Sequence, residues 1–244
     1  MQIFASPDNM CNIRYNIKSV FKTAVLGHIC VINGKQPMYC FLKEWYVLPD
    51  NIVDKLQTSI LFPHVVVFDL DSTLITEEKH VQIRDEYVYE SLRKLCEIGC
   101  VLILWSYGCK EHVVHSMNKL ELTPFFDIVI SGGSTAEYET NVKSPTFITD
   151  LKMKKQYVIN KFRFDLKDEK YRYIPKSPKI VLKYLSDKKI NCLKSITLVD
   201  DLSSNNYAYD FYVKVRRCPV PINDWVHYHD EIMHNIVEYD NKFN

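Results

Sequence analysis

The sequence predicts an α/β fold, a doubly wound parallel sheet with helices on both faces. Three observations carry that prediction. Val65 to Phe68 is an apolar run without polar alternation, as a strand buried on both faces is, and further strand-like apolar runs follow at 100–105, 127–130, 195–199 and 211–215. Helix-forming stretches stand between successive runs, so the connections are right-handed crossovers and the strands are parallel. Four runs end in polar residues: Asp69 and Asp71, Ser106, Ser131, and Asp200 with Asp201. In open α/β sheets the ligand crevice lies outside the carboxyl ends of the strands.

In chain order, residues 1–62 read as an N-terminal extension with no catalytic pattern. Within it, 28–32, Asn33-Gly34 and 37–47 resemble a hairpin, because Asn-Gly suits a tight turn. Asp50 can cap a short helix over 51–61. The core spans 63–217 and begins with Val65 to Phe68. Residues 74–85 are short and polar, a turn or small hairpin over the site. A helix is expected over 86–99, with Val88, Leu92, Leu95, Cys96 and Ile98 apolar and Gly99 at its C-terminal cap. A second is expected over 110–122, with Val113, Val114, Met117 and Leu120 apolar.

The rhythm breaks over 134–175. From Asp150 to Lys176 nine Lys or Arg stand against four Asp or Glu; nine minus four is a local balance of +5. The segment reads as an inserted cap or loop, either solvated surface or a binding element. A helix over 178–188, with proline in its first turn, restores the rhythm. Ser203 or Ser204 can cap a short helix after Asp201. The tail, 218–244, carries a helix over 230–239.

Composition bounds the function class. The chain has 244 residues, 47% hydrophobic and 25% charged, which fits a globular domain with a small extra module. A net charge of +1 excludes binding nucleic acid by bulk charge. None of the eight cysteines forms Cys-x-x-Cys, so they read as small core hydrophobes in a reducing, intracellular compartment. The apolar stretch 20–32 is broken by Lys22 and His28 and is too short to span a bilayer. His227, His229 and His234 in the tail read as a solvated helix face, with metal binding as the alternative.

If the fourth core strand returns beside the first, Asp69 and Asp71 face Asp200 and Asp201 across the switch point. Four carboxylates in one crevice point to a hard divalent cation; Mg²⁺ takes oxygen ligands, and no His or Cys joins the cluster to favour zinc. With the cation present one Asp is free to attack a phosphate, as carboxylate nucleophiles do. Ser106 and a nearby Lys would screen the meeting negative charges. Asp71 is placed to protonate the leaving oxygen and then to deprotonate water.

These residues carry a resemblance. Asp69-Leu70-Asp71-Ser72-Thr73 is similar to motif I of the haloacid dehalogenase (HAD) superfamily of phosphatases. Leu104-Trp105-Ser106 resembles motif II, and Leu198-Val199-Asp200-Asp201 resembles motif IV. Lys176 in Pro175-Lys176-Ser177-Pro178 fits motif III best, with Lys179 as the fallback. The resemblance implies Asp69 as nucleophile and Asp71 as acid/base. It implies a Mg²⁺ held by Asp69, the Asp71 backbone carbonyl and Asp201, with Asp200 in support. Ser106 and Lys176 would bind the substrate phosphate, and Thr73 would orient motif I.

Longer strings resemble a viral branch of that superfamily, the 38K-like nucleocapsid-assembly phosphatases of baculoviruses and nudiviruses. They are Trp105-Ser106-Tyr107-Gly108 leading to Glu111-His112-Val113-Val114, Thr197 to Asp201 leading to Asn205-Asn206-Tyr207, and Arg217-Cys218-Pro219 before Asn223-Asp224-Trp225. This likeness implies a phosphoprotein substrate, a basic DNA-packaging core protein, and nucleocapsid proteins as partners. It implies a place in the host nucleus and the virion nucleocapsid, without membrane attachment or direct nucleic-acid binding. A small-molecule or nucleotide phosphatase of the same superfamily is the enzyme alternative, and a catalytically weak capsid scaffold the other. The short segment between motifs I and II and the modest insertion leave room for an open site.

Overall fold

The structure, a computed structural model, describes residues 2–4, 62–77, 81–132, 146–152, 155–159, 163–165, 176–188, 190, 193–207 and 209–243. Its strands are β1 Gln2–Phe4, β2 Val65–Phe68, β3 Val101–Trp105, β4 Ile128–Gly132, β5 Thr146–Asp150, β6 Lys155–Ile159, β7 Arg163–Asp165, β8 Ile196–Asp200 and β9 Phe211–Lys214. Its helices are α1 Tyr87–Glu97, α2 Lys110–Lys119, α3 Pro178–Asp187 and α4 Trp225–Phe243.

Seven strands form one sheet in the order β6-β5-β4-β3-β2-β8-β9. The first core strand, β2, lies at the centre and pairs in parallel with β3 on one side and β8 on the other. The chain therefore winds outward through β3 and β4, then returns beside β2, and the doubly wound arrangement expected from sequence is found.

The central strand has no polar alternation because both its faces are covered. Val66 and Phe68 pack with Leu92 and Leu95 of α1, Val113 and Met117 of α2, and Trp225 and Ile232 of α4. Val65 and Val67 pack on the other face with Ile180, Val181 and Leu185 of α3. All four strand residues are fully buried, and burying each such side chain contributes about 1.5–3 kcal/mol. Helix α1 ends where Gly99 takes φ +82°, which a side chain would resist, and the Gly99 and Cys100 amides close the turn on Cys96 and Leu95.

Several expectations need correction. The charged insertion is partly a core element. Strands β5 and β6 form an antiparallel hairpin on the edge of β4, and Ile148 is buried in the core. Strand β5 ends and β6 begins at the end of the sheet remote from the acids, because Asp150 pairs with Ile128, where β4 begins, and with Lys155. The third strand of that region, β7, pairs in parallel with β1 in a separate two-stranded sheet. The hairpin expected at 28–47 and the helix expected at 51–61 lie outside the described residues.

The tail helix is longer than 230–239: α4 begins at Trp225, whose amide donates to Asp85 Oδ2 at 2.8 Å. Its far end is tied to the base of the sheet, where His64 bonds Ser195 Oγ at 2.7 Å and Asp240 Oδ1 at 3.2 Å. His229 is buried against Ser91 Oγ at 2.9 Å, so it does not belong to a solvated face. Cys100 and Cys218 are buried, but Cys96 and Cys109 are exposed. Ile98 and Val114 are exposed as well. The turn Ser203–Asn205 is a 3-10 helix with no side-chain cap.

Candidate active site

The parallel strands end together, and the polar residues after them meet. Asp69 and Ser106 follow β2 and β3, Asp200 is the last residue of β8, and Asp201 follows it. The backbone fixes these ends: the Asp69 amide donates to Val199 O at 2.9 Å, and the Ser106 amide to Ile130 O at 2.9 Å. After Asp69 the chain turns sharply. The amides of Thr73, Leu74 and Ile75 all donate to Leu70 O, and Ser72 takes φ +60°. Beyond the turn, Asp71 has partners of its own, Ser106 and His112, and shares none with Asp69.

Asp69 accepts from Lys176 Nζ at Oδ1, 2.5 Å, and from Thr73 Oγ1 at Oδ2, 3.1 Å. Lys176 precedes α3, is fully buried, and also donates to Asp200 Oδ2 at 2.7 Å. The Tyr107 ring centroid lies 5.1 Å from the same ammonium. Asp200 is fully buried and further accepts from Leu202 N at 2.8 Å and Asn205 Nδ2 at 3.0 Å. Asp201 meets the exposed Arg217 at 3.4 Å. Of the two lysines considered for motif III, Lys176 lies among the acids; the Lys179 amide bonds Ser177 Oγ in the first turn of α3.

Burial pushes the Asp69 carboxyl up to about 7, aided by Asp200 and Asp201 and opposed by Lys176. Burial also works against the Lys176 ammonium, but Asp69 and Asp200 more than offset it and hold it above its ordinary value. Asp201 is raised by burial and then by Asp200, while Arg217 lowers it. The lysine is charged throughout the physiological range. Three carboxyl groups thus crowd around one buried ammonium, with only the exposed Arg217 as a second cation on Asp201.

Oxygens of Asp69, Asp200 and Asp201 lie within 4.8 Å of one another, a grouping that fits a metal ion. An all-oxygen donor set of carboxyl groups suits Mg²⁺. Asp200 spends both oxygens on Lys176, Asn205 and Leu202, so Asp69 and Asp201 are the freer donors. The Asp71 side chain stands outside this group. Its Oδ1 meets His112 Nε2 at 2.7 Å, and its Oδ2 accepts from Ser106 Oγ at 3.2 Å.

Sequence reasoning missed three supporting residues. His112 stands out in the sequence only inside a longer string; a lone His on a helix carries no signal of its partner. Arg84 is fully buried, grips Asp224 through two nitrogens at 2.7 and 2.8 Å, and donates to Ser72 O at 3.2 Å, Thr73 O at 3.4 Å and Arg216 O at 2.7 Å. It thereby holds the turn after Asp71 against the tail. Tyr107 is the third. Burial raises its phenol well above the ordinary value, so the ring over Lys176 is neutral.

The family described as "Protein of unknown function (DUF705)" matches residues 1–244, which includes the segment 1–62 that the motif resemblance leaves out. Similar proteins come from three viruses. One, described as an uncharacterized 38.0 kDa protein of Autographa californica nuclear polyhedrosis virus, is 58% identical over 251 residues, covering 100% of this chain and 78% of its own length. An uncharacterized 36.0 kDa protein of Orgyia pseudotsugata multicapsid polyhedrosis virus is 53% identical, with 100% of this chain and 78% of that protein covered. An uncharacterized 41.0 kDa protein of Cryptophlebia leucotreta granulosis virus is 46% identical, with 97% and 68% covered. Among solved structures, a HAD-superfamily hydrolase from Ehrlichia chaffeensis is similar at a TM-score of 0.42 and 12% identity, covering 73% of this chain and 100% of that one. At that score the likeness carries no argument, and the fold assignment rests on the strand order.

Proposed function

We propose that this chain, which belongs to the DUF705 family of viral proteins, hydrolyses phosphate monoesters through a phosphoryl group carried transiently on Asp69. The observation that supports it most is the buried Lys176 bridging Asp69 and Asp200 at the ends of adjacent parallel strands. A charged lysine enclosed by acids has little structural purpose, since a buried pair is often no more stable than apolar residues of the same volume. It is the arrangement needed to bring an anionic ester to an anionic nucleophile.

Asp69 Oδ attacks phosphorus while the bond to the ester oxygen breaks, and Asp71 gives that oxygen its proton. Water then attacks the same phosphorus, Asp71 takes the water's proton, and the Asp69–phosphorus bond breaks to release inorganic phosphate. Lys176 and Ser106 face the phosphoryl oxygens and stabilise the charge that spreads over them. Thr73 holds Asp69 Oδ2, leaving Oδ1 and its lysine toward the crevice. Mg²⁺ held by Asp69 and Asp201, with the Asp71 carbonyl and Asp200 in support, would supply further charge neutralisation.

The finer reading is a phosphoprotein phosphatase needed for nucleocapsid assembly, acting on a basic DNA-packaging core protein in the host nucleus or virion. The likeness of the longer strings to the 38K-like proteins and the viral source of the relatives support it. Among the described residues no helix is long and apolar enough to cross a membrane. The reading is tested by turnover of p-nitrophenyl phosphate with MgCl₂ and with EDTA, beside Asp69→Asn. Turnover that needs Mg²⁺ and vanishes in the variant is expected; full turnover in EDTA overturns the carboxylate-cage argument. A phosphorylated basic core protein compared with nucleoside monophosphates then separates the protein from the small-molecule substrate.

A further inference from the structure

We propose that His112 is a positioning residue for Asp71 and that Gly108 exists to let it reach. The inference rests on the phosphatase reading above and deepens it. The His112 side chain is 8% exposed, stands in the first turn of α2, and places Nε2 at 2.7 Å from Asp71 Oδ1. The partner lies 41 residues away in sequence, on the turn after β2.

The space for this contact is made by Gly108. A Cβ there would lie 2.9 Å from His112 Cδ2, 3.1 Å from Ser106 Oγ and 3.6 Å from Asp71 Oδ2. The imidazole, the serine hydroxyl and the carboxylate thus converge on the one residue that has no side chain. The turn carrying Gly108 is itself fixed. Its amide donates to Ser106 Oγ at 2.9 Å, and its carbonyl accepts from Gly132 N at 2.8 Å. Ser106, Gly108 and His112 are therefore one rigid cradle between β3 and α2, and Asp71 is the group it holds.

Holding matters because, apart from His112, only the longer 3.2 Å bond from the Ser106 hydroxyl fixes the Asp71 rotamer among the described residues. Its side chain is 28% exposed, and Asp69, Asp200 and Asp201 form a repelling cluster nearby. A free carboxylate would turn to solvent. The Nε2–H bond fixes Oδ1, leaving Oδ2, held only by the longer serine contact, as the oxygen facing the ester. Proton delivery needs that oxygen within hydrogen-bond reach of the leaving group, and a misplacement of about 1 Å can cost about 10²-fold in rate.

The test separates positioning from structural support by leaving group. Values of kcat/KM report steps through transfer to Asp69. An acidic phenol leaves without much help from an acid, whereas a serine alkoxide does not. Wild type, His112→Ala, His112→Gln and Asp71→Asn are compared in MgCl₂ on p-nitrophenyl phosphate and on O-phosphoserine. His112→Ala is expected to lose about 10²-fold on phosphoserine and only severalfold on the aryl ester. His112→Gln, which can keep an N–H donor, should recover part of the loss. In an Asp71→Asn background His112→Ala should cost nothing more. Equal losses on the two esters, or the same loss without Asp71, overturn the inference and leave the phosphatase reading standing. No turnover of either ester by the wild type overturns that reading and the inference with it.

Discussion

Replacing Lys176 by Met tests how the crevice is held together. Met keeps much of the volume but removes the ammonium from two carboxylates, at 2.5 Å from Asp69 and 2.7 Å from Asp200, in a side chain that is fully buried. Removing one partner of a buried ion pair costs about 3–5 kcal/mol, because the charge left behind is buried without its counter-ion. For a chain of this size each kcal/mol moves Tm by about 2–4 °C, so a drop of about 6–20 °C is expected in EDTA. Thermal melts followed by circular dichroism read it directly. Adding MgCl₂ should return part of the loss, since a divalent cation takes over the neutralisation. The double variant Lys176→Met/Asp200→Asn should be less destabilised than the sum of the single changes, by about 0.5–3 kcal/mol. A Tm equal to wild type, or strict additivity, would refute the view that the lysine compensates these acids.

Other expectations follow from the same geometry. Asp69 is raised from 3.8 to about 7 in the folded protein, so without metal its contribution to stability is complete below 3.8 and is lost as pH rises through 7. Mg²⁺ binds the ionised form, so the rise in Tm on adding MgCl₂ should be larger at alkaline than at acidic pH, and Asp69→Asn should flatten the difference; an equal rise at both would contradict it. Gly108→Ala should cost about 1–3 kcal/mol of stability by overpacking and should lower kcat as well, because the nearest obstacle is the His112 ring; unchanged kcat would sink the cradle. Arg84→Met strands Asp224 and frees three carbonyls, so it should lower Tm and slow turnover together; a stable, fully active variant would show that the tail does not support the turn after Asp71.

Much of this molecule was legible because its central strand carries its own signal. Val65 to Phe68, β-branched or aromatic throughout, read as a strand covered on both faces, and the acids after it and after Val199 mark the crevice. The return of β8 beside β2 follows from the winding rule. Elsewhere the determinants are contacts between distant segments. The sequence places the start of α4 at 230, five residues late, because its first amide is satisfied by Asp85, just before α1, rather than by a local cap. Asp224, the residue that would look like that cap, is spent on Arg84. Strands β5 and β6 were hidden by the charge around them; the lysines there mask the period of the strands and the burial of Ile148. Lys176 showed itself only as a lysine between prolines. His112 gave no sign of its bond to Asp71.

The central claim is that Asp69 carries the phosphoryl group. The most direct measurement is an acid-quenched single turnover of p-nitrophenyl phosphate in MgCl₂, followed by peptide mapping of the trapped protein. Phosphate on the peptide containing Asp69, absent in Asp69→Asn and present in longer-lived amount in Asp71→Asn, is the predicted result. Turnover with no adduct on that peptide, or an adduct that persists in Asp69→Asn, would contradict it.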